Sequence, residues 1–314
     1  MENLPILAII VPCFNEDTVL NVTSKSLSNI IESLIDNNKI SDTSFLCFID
    51  DGSYDNTWKL IEDLNKQNHI NKGLKLSRNF GHQNALIAGL FTIEADIYIT
   101  IDADLQDDES IIPKMIDEYL NGSHIVFAVR ESRKADSLFK RVTAQSFYLL
   151  MNLMKTKTLY NHADYRLMSK KVVKNLEHYE EVNLFLRGII TLVGFPSSIV
   201  YYDRKKRFSG ESKFNLFKMI TFALDGITSF SIFPLRIITF FGFFTCLISI
   251  LFGIWAIYLK IIGNVIPGWS SIVIPMYFLG GVQIMSLGII GEYIGKVYKE
   301  VKKRPRFIIE KEIK

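Results

Sequence analysis

Ile97-Tyr98-Ile99-Thr100-Ile101-Asp102-Ala103-Asp104-Leu105-Gln106 is the stretch on which the fold turns. Its first half is an apolar run of strand length, rich in β-branched side chains, and two carboxylates spaced by one residue follow at once. A buried strand that stops abruptly in acids reads as the carboxyl end of a parallel strand, where open α/β sheets place their ligands. The same pattern recurs along the first part of the chain. Ile6–Val11 runs into Asn15-Glu16, Phe45–Ile49 into Asp50-Asp51-Gly52-Ser53, Gly73–Leu76 into Arg78-Asn79, and Ile125–Val129 into Arg130. Helical patterns lie between these runs, near 17–36, 54–67, 82–94 and 109–120. The alternation predicts an α/β fold with a mainly parallel, Rossmann-like sheet covered by helices on both faces.

Composition narrows the class. With 314 residues, 48% hydrophobic and 22% charged, the chain is neither disordered nor a polytopic transporter. A net charge of +3 says little about partners by itself, and no nucleic-acid partner is expected. Basic residues instead gather in 204–218 and 296–306, either side of the most apolar region. Cys13, Cys47 and Cys246 have no zinc or disulfide spacing, which fits a reduced, cytosolic setting. Ile6–Val11 is too short for a signal-peptide core, and Glu2 stands where such peptides carry positive charge.

Two segments differ from the rest. Ile237–Leu259 carries no charge, and Ile272–Ile294 carries only Glu292 near its far end. Each is long enough to cross a hydrocarbon core about 30 Å thick. Arg236 precedes the first, and Lys296, Lys299, Lys302, Lys303, Arg304 and Arg306 follow the second, whereas the connector near 260–271 carries only Lys260. The positive-inside rule then puts both ends in the cytosol and a hairpin between the spans. The expected organisation is a catalytic domain over 1–212, a juxtamembrane amphipathic helix over 213–236, two transmembrane helices over 237–295, and a basic cytosolic tail over 296–314. The protein is thus expected in the cell membrane, with its catalytic domain and C-terminus cytoplasmic. Helical patterns at 137–154 and 214–233 mix large apolar with basic residues. The second reads as interfacial, the first equally as interfacial or as packing on the soluble domain. Gly291 and Gly295, with Gly280, Gly281 and Gly288, give small-residue spacing for close helix packing and a homo-oligomer, without fixing the oligomeric state.

Asp102 and Asp104 suit a hard divalent cation that keeps positions open for phosphate oxygens. Turn formation or helix capping is the alternative use of such acids. Gln106, Asp107, Asp108 and Glu109 add to the pile of polar and acidic groups, which favours a compensating cation. In Asp50-Asp51-Gly52-Ser53, Gly52 permits a tight turn, and a carboxylate there can accept from a ribose hydroxyl or a base N–H. Pro12 and Phe14 can wall a base, and Glu16 can take its polar edge. No GxGxxG or GxxxxGK[ST] run is present, so neither a dinucleotide grip nor a P-loop is expected.

Taken in order, Val11-Pro12-Cys13-Phe14-Asn15-Glu16, Asp50-Asp51-Gly52-Ser53, Leu76-Ser77-Arg78-Asn79-Phe80-Gly81-His82 and Asp102-Ala103-Asp104-Leu105-Gln106 resemble the inverting family 2 glycosyltransferases of GT-A fold. Asp164-Tyr165-Arg166-Leu167-Met168, Phe185-Leu186-Arg187-Gly188, Arg207-Phe208-Ser209-Gly210-Glu211-Ser212-Lys213 and Asp225-Gly226-Ile227-Thr228-Ser229-Phe230-Ser231 narrow the resemblance to the polyprenyl-phosphate branch, which includes bactoprenol glucosyltransferases and, more distantly, dolichyl-phosphate mannose synthases. The resemblance covers nearly the whole chain. It implies Mg2+ or Mn2+ and the donor diphosphate at Asp102, Asp104 and Gln106, the nucleoside at Glu16 and Asp51 beside the base-walling Pro12 and Phe14, and donor or acceptor phosphates at Arg130, Arg207 and Lys213. One departure stands out: relatives often read Asp-Pro-Pro-Glu where this chain has Asp107-Asp108-Glu109.

The implied reaction moves a hexose from UDP-glucose or UDP-N-acetylglucosamine onto undecaprenyl phosphate, for modification of a cell-envelope glycan. A phosphate monoester has a second pKa of about 6 and is its own nucleophile, so no strong general base is needed. His82, His124 and His162 are accordingly expected to be structural or polar contacts. Three other readings compete. A processive polysaccharide synthase would carry a QxxRW motif, which Trp58, Trp255 and Trp269 do not provide. A glycolipid-forming enzyme with a hydroxyl acceptor would need a base, for which Asp164 is the candidate. A non-catalytic membrane scaffold would have no use for the acidic loop.

Overall fold

A computed structural model describes residues 4–131, 162–181, 186–203, 233–262 and 268–314. The chain divides into two compact units, Met1–Leu216 with Arg304–Lys314, and Phe217–Lys303.

The first unit is built on an eight-stranded sheet in the order β7-β5-β6-β4-β1-β2-β3-β8. β1 (Leu7–Cys13) is buried at every position, as its unbroken apolar sequence requires. It pairs in parallel with β2 (Phe45–Asp50) on one side and β4 (Ile97–Thr100) on the other, while β2 continues to β3 (Asn71–Leu76). The chain moves outward through β1, β2 and β3, then α3 (His82–Thr92) returns it to β4 on the far side of β1. That reversal makes the carboxyl ends of β1 and β4 the switch point, where such sheets open a crevice. Gly89 lets α3 lie close on the sheet: a Cβ there would stand 2.6 Å from Ile10 Cγ2.

α1 (Leu20–Asp36) buries Leu20, Leu27, Ile31 and Leu34, one stripe at helical spacing. α2 (Thr57–Gln67) buries Trp58, Ile61 and Leu64 in the same way. A short 3-10 turn (Glu109–Ile111) leads into α4 (Ile112–Leu120), and β5 (Ile125–Arg130) follows. These elements lie where the hydrophobic pattern places them.

Beyond β5 the structure adds what the pattern does not reveal. β6 (His162–Ser169) inserts antiparallel between β4 and β5, and β7 (Ser197–Tyr202) pairs in parallel with β5. α5 (Lys170–Leu176) and α6 (Leu186–Leu192) connect them. The stretch read as a basic tail ends in β8 (Ile309–Ile313), antiparallel on the edge of β3. The Ser77 N–H donates to the Ile308 carbonyl at 3.0 Å, Lys75 meets Glu310 at 3.2 Å, and the Arg306 guanidinium donates to the Tyr179 carbonyl.

The second unit contains α7 (Phe233–Ile261) and α8 (Trp269–Val301). Both are long and apolar enough to cross a membrane by length and composition, and no part of either apolar window is buried in protein. A Cβ at Gly280, Gly281, Gly288, Gly291 or Gly295 would meet nothing within 4 Å among the described residues. The helical patterns at 137–154 and 214–233 lie outside the described residues.

Candidate active site

A cleft of about 320 Å³ opens at the switch point, lined by Pro12, Cys13, Phe14 and Glu16 after β1, Asp51 after β2, Asn79, Gly81, His82 and Ala85 around the start of α3, and Asp102, Ala103 and Asp104 after β4. Six residues singled out in the sequence therefore converge on one cavity: Pro12, Phe14, Glu16, Asp51, Asp102 and Asp104.

One wall is a set of loops fastened by backbone N–H groups donating to side-chain oxygens. The Asn15 N–H donates to Ser53 Oγ at 3.0 Å, the Glu16 N–H to Thr57 Oγ1 at 2.9 Å, and the Tyr54 N–H to Asn15 Oδ1 at 2.9 Å. Asn15 takes a φ of 54°, a left-handed conformation its short amide tolerates. Asp51 is buried, and its carboxylate accepts the Phe80 N–H at 2.7 Å and the Gly81 N–H at 2.9 Å. Burial pushes its pKa up, against the pull of those two bonds. Asp51 thus fixes the loop ahead of α3, a task the sequence did not reveal, while still facing the cleft. Gly52 is required between them. Its φ is +68°, and a Cβ would come within 2.4 Å of the Arg78 carbonyl carbon.

The opposite side is acidic. Leu105 adopts a φ of 50°, and that left-handed turn brings the Gln106 N–H to Asp104 Oδ1 at 3.2 Å. Gln106 is not among the residues that line the cleft, and its N–H is bonded to Asp104 at the cleft's edge. Burial, then the charges of Asp107, Asp164 and Asp104, raise the Asp102 pKa to about 6 against the pull of His82. His82 Nε2 stands 3.5 Å from Asp102 Oδ1 and 3.8 Å from Asp164 Oδ2, so His82, expected to be a structural or polar contact, belongs to the cleft. His124 is structural, with Nδ1 on Ser169 Oγ at 3.1 Å. Among the described residues, no group of three His, Cys, Asp or Glu side chains is arranged to hold a metal ion.

Two buried ion clusters support this side. Asp107 accepts from Tyr202 Oη at 2.5 Å and from Arg130 Nη2 at 3.0 Å, and Arg130 Nε also donates to Tyr202 Oη at 3.1 Å. Arg130, expected at a phosphate, is here the partner of Asp107 and does not line the cleft. Asp107, which immediately precedes the point where the acidic loop departs from its relatives, anchors that loop. In the second cluster Asp164 accepts from Arg166 Nη2 at 2.5 Å and from Arg187 through Nε at 3.2 Å and Nη2 at 3.0 Å. The two guanidiniums overcome burial and hold the Asp164 carboxyl far below the usual carboxylate range. Arg207 and Lys213 lie outside the described residues.

Residues 8–177 match the model of glycosyl transferase family 2. The chain belongs to that family. As a family 2 glycosyltransferase it is 48% identical over 311 residues to the uncharacterized glycosyltransferase YkoT of Bacillus subtilis strain 168, covering 98% of this chain and 92% of the relative. It is 42% identical to the SfII prophage-derived bactoprenol glucosyl transferase of Shigella flexneri, over 97% of both chains. It is 40% identical to the prophage bactoprenol glucosyl transferase homolog of Escherichia coli K12, over 97% of this chain and 98% of that one. The GT-A sheet, the cleft at its switch point and the acidic pair of a family 2 glycosyltransferase are all present, and the likeness runs through both apolar helices.

Proposed function

We propose that this family 2 glycosyltransferase moves a hexose from a UDP-sugar, glucose or N-acetylglucosamine, onto undecaprenyl phosphate with inversion, at the cytoplasmic face of the membrane. The observation that carries the reading is the full-length likeness, apolar helices included, to proteins named bactoprenol glucosyl transferases. The geometry supports it. Asp164, the carboxylate weighed as base for a hydroxyl acceptor, is committed to two arginines and is a poor base. A phosphate acceptor needs none.

The donor set fits a hard cation in part. Asp102 and Asp104 open on the cleft, and the crowding that raises Asp102 is what a cation relieves. With two protein carboxylates, the remaining positions would fall to donor phosphates and water. Mg2+ or Mn2+, when bound, would supply charge stabilisation to the departing diphosphate. In this reading Pro12 and Phe14 flank the base, and Glu16 and Asp51 accept from the nucleoside. Arg207 and Lys213 shield the acceptor phosphate as it attacks the anomeric carbon from the face opposite the leaving group.

The pairing of β8 with β3 supports a two-span topology, because residues before and after the apolar helices share one sheet. Together with the basic flanks, it supports a reading in which the catalytic domain and residues 304–314 are cytosolic. Cysteine labelling should find 262–270 outside and a site near 305 inside.

The deciding assay supplies full-length protein in vesicles with radiolabelled UDP-glucose, UDP-N-acetylglucosamine or GDP-mannose. Acceptors are undecaprenyl phosphate, undecaprenol and diacylglycerol. Label should enter undecaprenyl phosphate alone, and transfer to either hydroxyl lipid in preference would overturn the reading.

A further inference from the structure

The strand that leads into one side of the cleft is weak by its own sequence. β3 reads Asn-Lys-Gly-Leu-Lys-Leu, and asparagine, lysine and glycine are all poor strand formers. Gly73 has no better replacement, because a Cβ there would stand 2.6 Å from Ile61 Cγ2, where α2 packs on the strand. Beyond Leu76 the chain crosses to α3 and carries the cleft residues Asn79, Gly81 and His82. Gly81 takes a φ of +93°, and a Cβ there would meet nothing within 4 Å among the described residues, so no side chain steadies that end of the loop. Left as the edge of the sheet, β3 would fray at the mouth of the cleft.

β8 removes that edge. It sets Ile313 opposite Gly73 and Ile309 opposite Leu76, and Ile313 also packs on the main core. An isoleucine thereby supplies the cross-strand contact that the glycine lacks. The hold continues past the strand: the Ser77 N–H donates to the Ile308 carbonyl at 3.0 Å, one residue into the cleft loop. Just before β8, the Arg306 guanidinium donates to the Tyr179 carbonyl. Tyr179 lies ahead of α6, whose Leu186 N–H donates to Gln83 Oε1 at 3.1 Å in the first turn of α3. One short stretch of chain therefore reaches both the start of the cleft loop and the segment that leads to the contact at its end. We propose that residues 306–313 are a positioning segment for the donor. They fix Ser77, so that the Phe80 and Gly81 N–H groups meet the Asp51 carboxylate and the backbone at Arg78 lies against Gly52, although none of 306–313 lines the cleft. The donor is named because the transfer reading above puts the nucleoside on this side.

The test compares wild-type full-length protein in detergent with Arg306→Ala, Arg306→Lys and a deletion of residues 308–314, with thermal unfolding to confirm the fold. Hydrogen exchange is followed at residues 77–82, UDP binding by calorimetry, and KM for the nucleotide-sugar and for undecaprenyl phosphate by transfer. The deletion should speed exchange at 77–82 and raise the UDP Kd and donor KM about tenfold, with the undecaprenyl phosphate KM little changed. Arg306→Ala should move the same constants the same way by about threefold, and Arg306→Lys, which keeps a donor, should recover part. A folded deletion protein with wild-type UDP Kd and donor KM overturns the proposal. So does an equal loss of donor and acceptor affinity, which marks a strand that only stabilises the fold. If the deletion does not fold, Arg306→Ala decides by the same constants. A wild-type protein whose UDP binding depends on 306–313 but which glycosylates no polyprenyl phosphate sinks the transfer reading alone.

Discussion

The two walls of the cleft are held by different physics. The wall formed by residues 12–17, 51–57 and 77–82 is fastened by hydrogen bonds that join loops distant in sequence: Asn15 to Ser53, Glu16 to Thr57, and the Phe80 and Gly81 N–H groups to the Asp51 carboxylate. The wall formed by 102–104 is backed by buried charges that do not themselves line the cleft: Asp107 with Arg130, and Asp164 with Arg166 and Arg187. On the first wall the one buried carboxylate, Asp51, is held by two backbone N–H groups and the other bonds join uncharged groups, so its geometry depends less on what the cleft contains. Buried charges make the second wall sensitive to every ion that enters, which suits the side where a cation and phosphates are proposed to meet.

The largest effect should come from removing charge on the second wall. Asp102→Asn or Asp104→Asn should lower transfer about a thousandfold or more in protein that remains folded and membrane-bound, as read by radiolabel transfer. Full activity in a metal-free, EDTA-treated preparation would break the contrast. Next comes Arg130→Gln, which strands the buried Asp107 carboxylate. Losing one partner of such a pair costs about 3–5 kcal/mol, visible as a lower Tm. Arg130→Met with Asp107→Leu should recover much of that stability, and a cycle with no coupling would show the pair is not what holds the loop.

On the first wall the sharpest probe is Gly52→Ala. The left-handed backbone alone costs about 1–2 kcal/mol, and the clash with Arg78 adds to it. A higher donor KM with little change in undecaprenyl phosphate KM is the expected signature, because the disturbed loop carries Asn79 and Gly81.

A pH titration separates the walls further. Asp102 has a raised pKa of about 6, so between the ordinary carboxylate range and pH 6 the folded, cation-free protein holds a proton that the unfolded chain has lost. Its stability therefore falls as pH rises through that window. Cation binding must displace the proton, so affinity for Mn2+ should climb about tenfold per pH unit below pH 6 and level off above, measured as the Mn2+-induced shift in Tm. A flat profile would mean Asp102 is not a ligand. The smallest effect belongs to the exposed edge: Lys75→Ala or Glu310→Ala should change stability by about 1 kcal/mol or less.

The first wall was legible in the sequence and the second largely was not. β1 to β4 are apolar runs punctuated by polar turn residues, and their order fixes where Pro12, Phe14, Glu16, Asp51, Asp102 and Asp104 meet. β6 gives no such signal. Its sequence, His-Ala-Asp-Tyr-Arg-Leu-Met-Ser, carries Asp164 and the fully buried Arg166 in mid-sheet, tolerated because they pair with each other and with Arg187. Nor does β8: Ile309 and Ile313 flank exposed Glu310, Lys311 and Glu312, an edge-strand pattern lost within a basic stretch. Arg130 was recognised as unusual, but not that its partner is Asp107, because ion pairing across a sheet leaves no periodicity.

β8 also imposes an order of assembly. It is translated after α7 and α8, yet it completes an edge of a sheet whose other strands all precede those helices. Until both apolar helices have emerged and been accommodated, β3 is left with an open edge next to the loop that carries Asn79 and Gly81. Biogenesis therefore ends at the catalytic sheet, and a defect in forming either apolar helix should surface first as a nascent enzyme with an unfinished sheet edge, prone to pairing with the wrong strand.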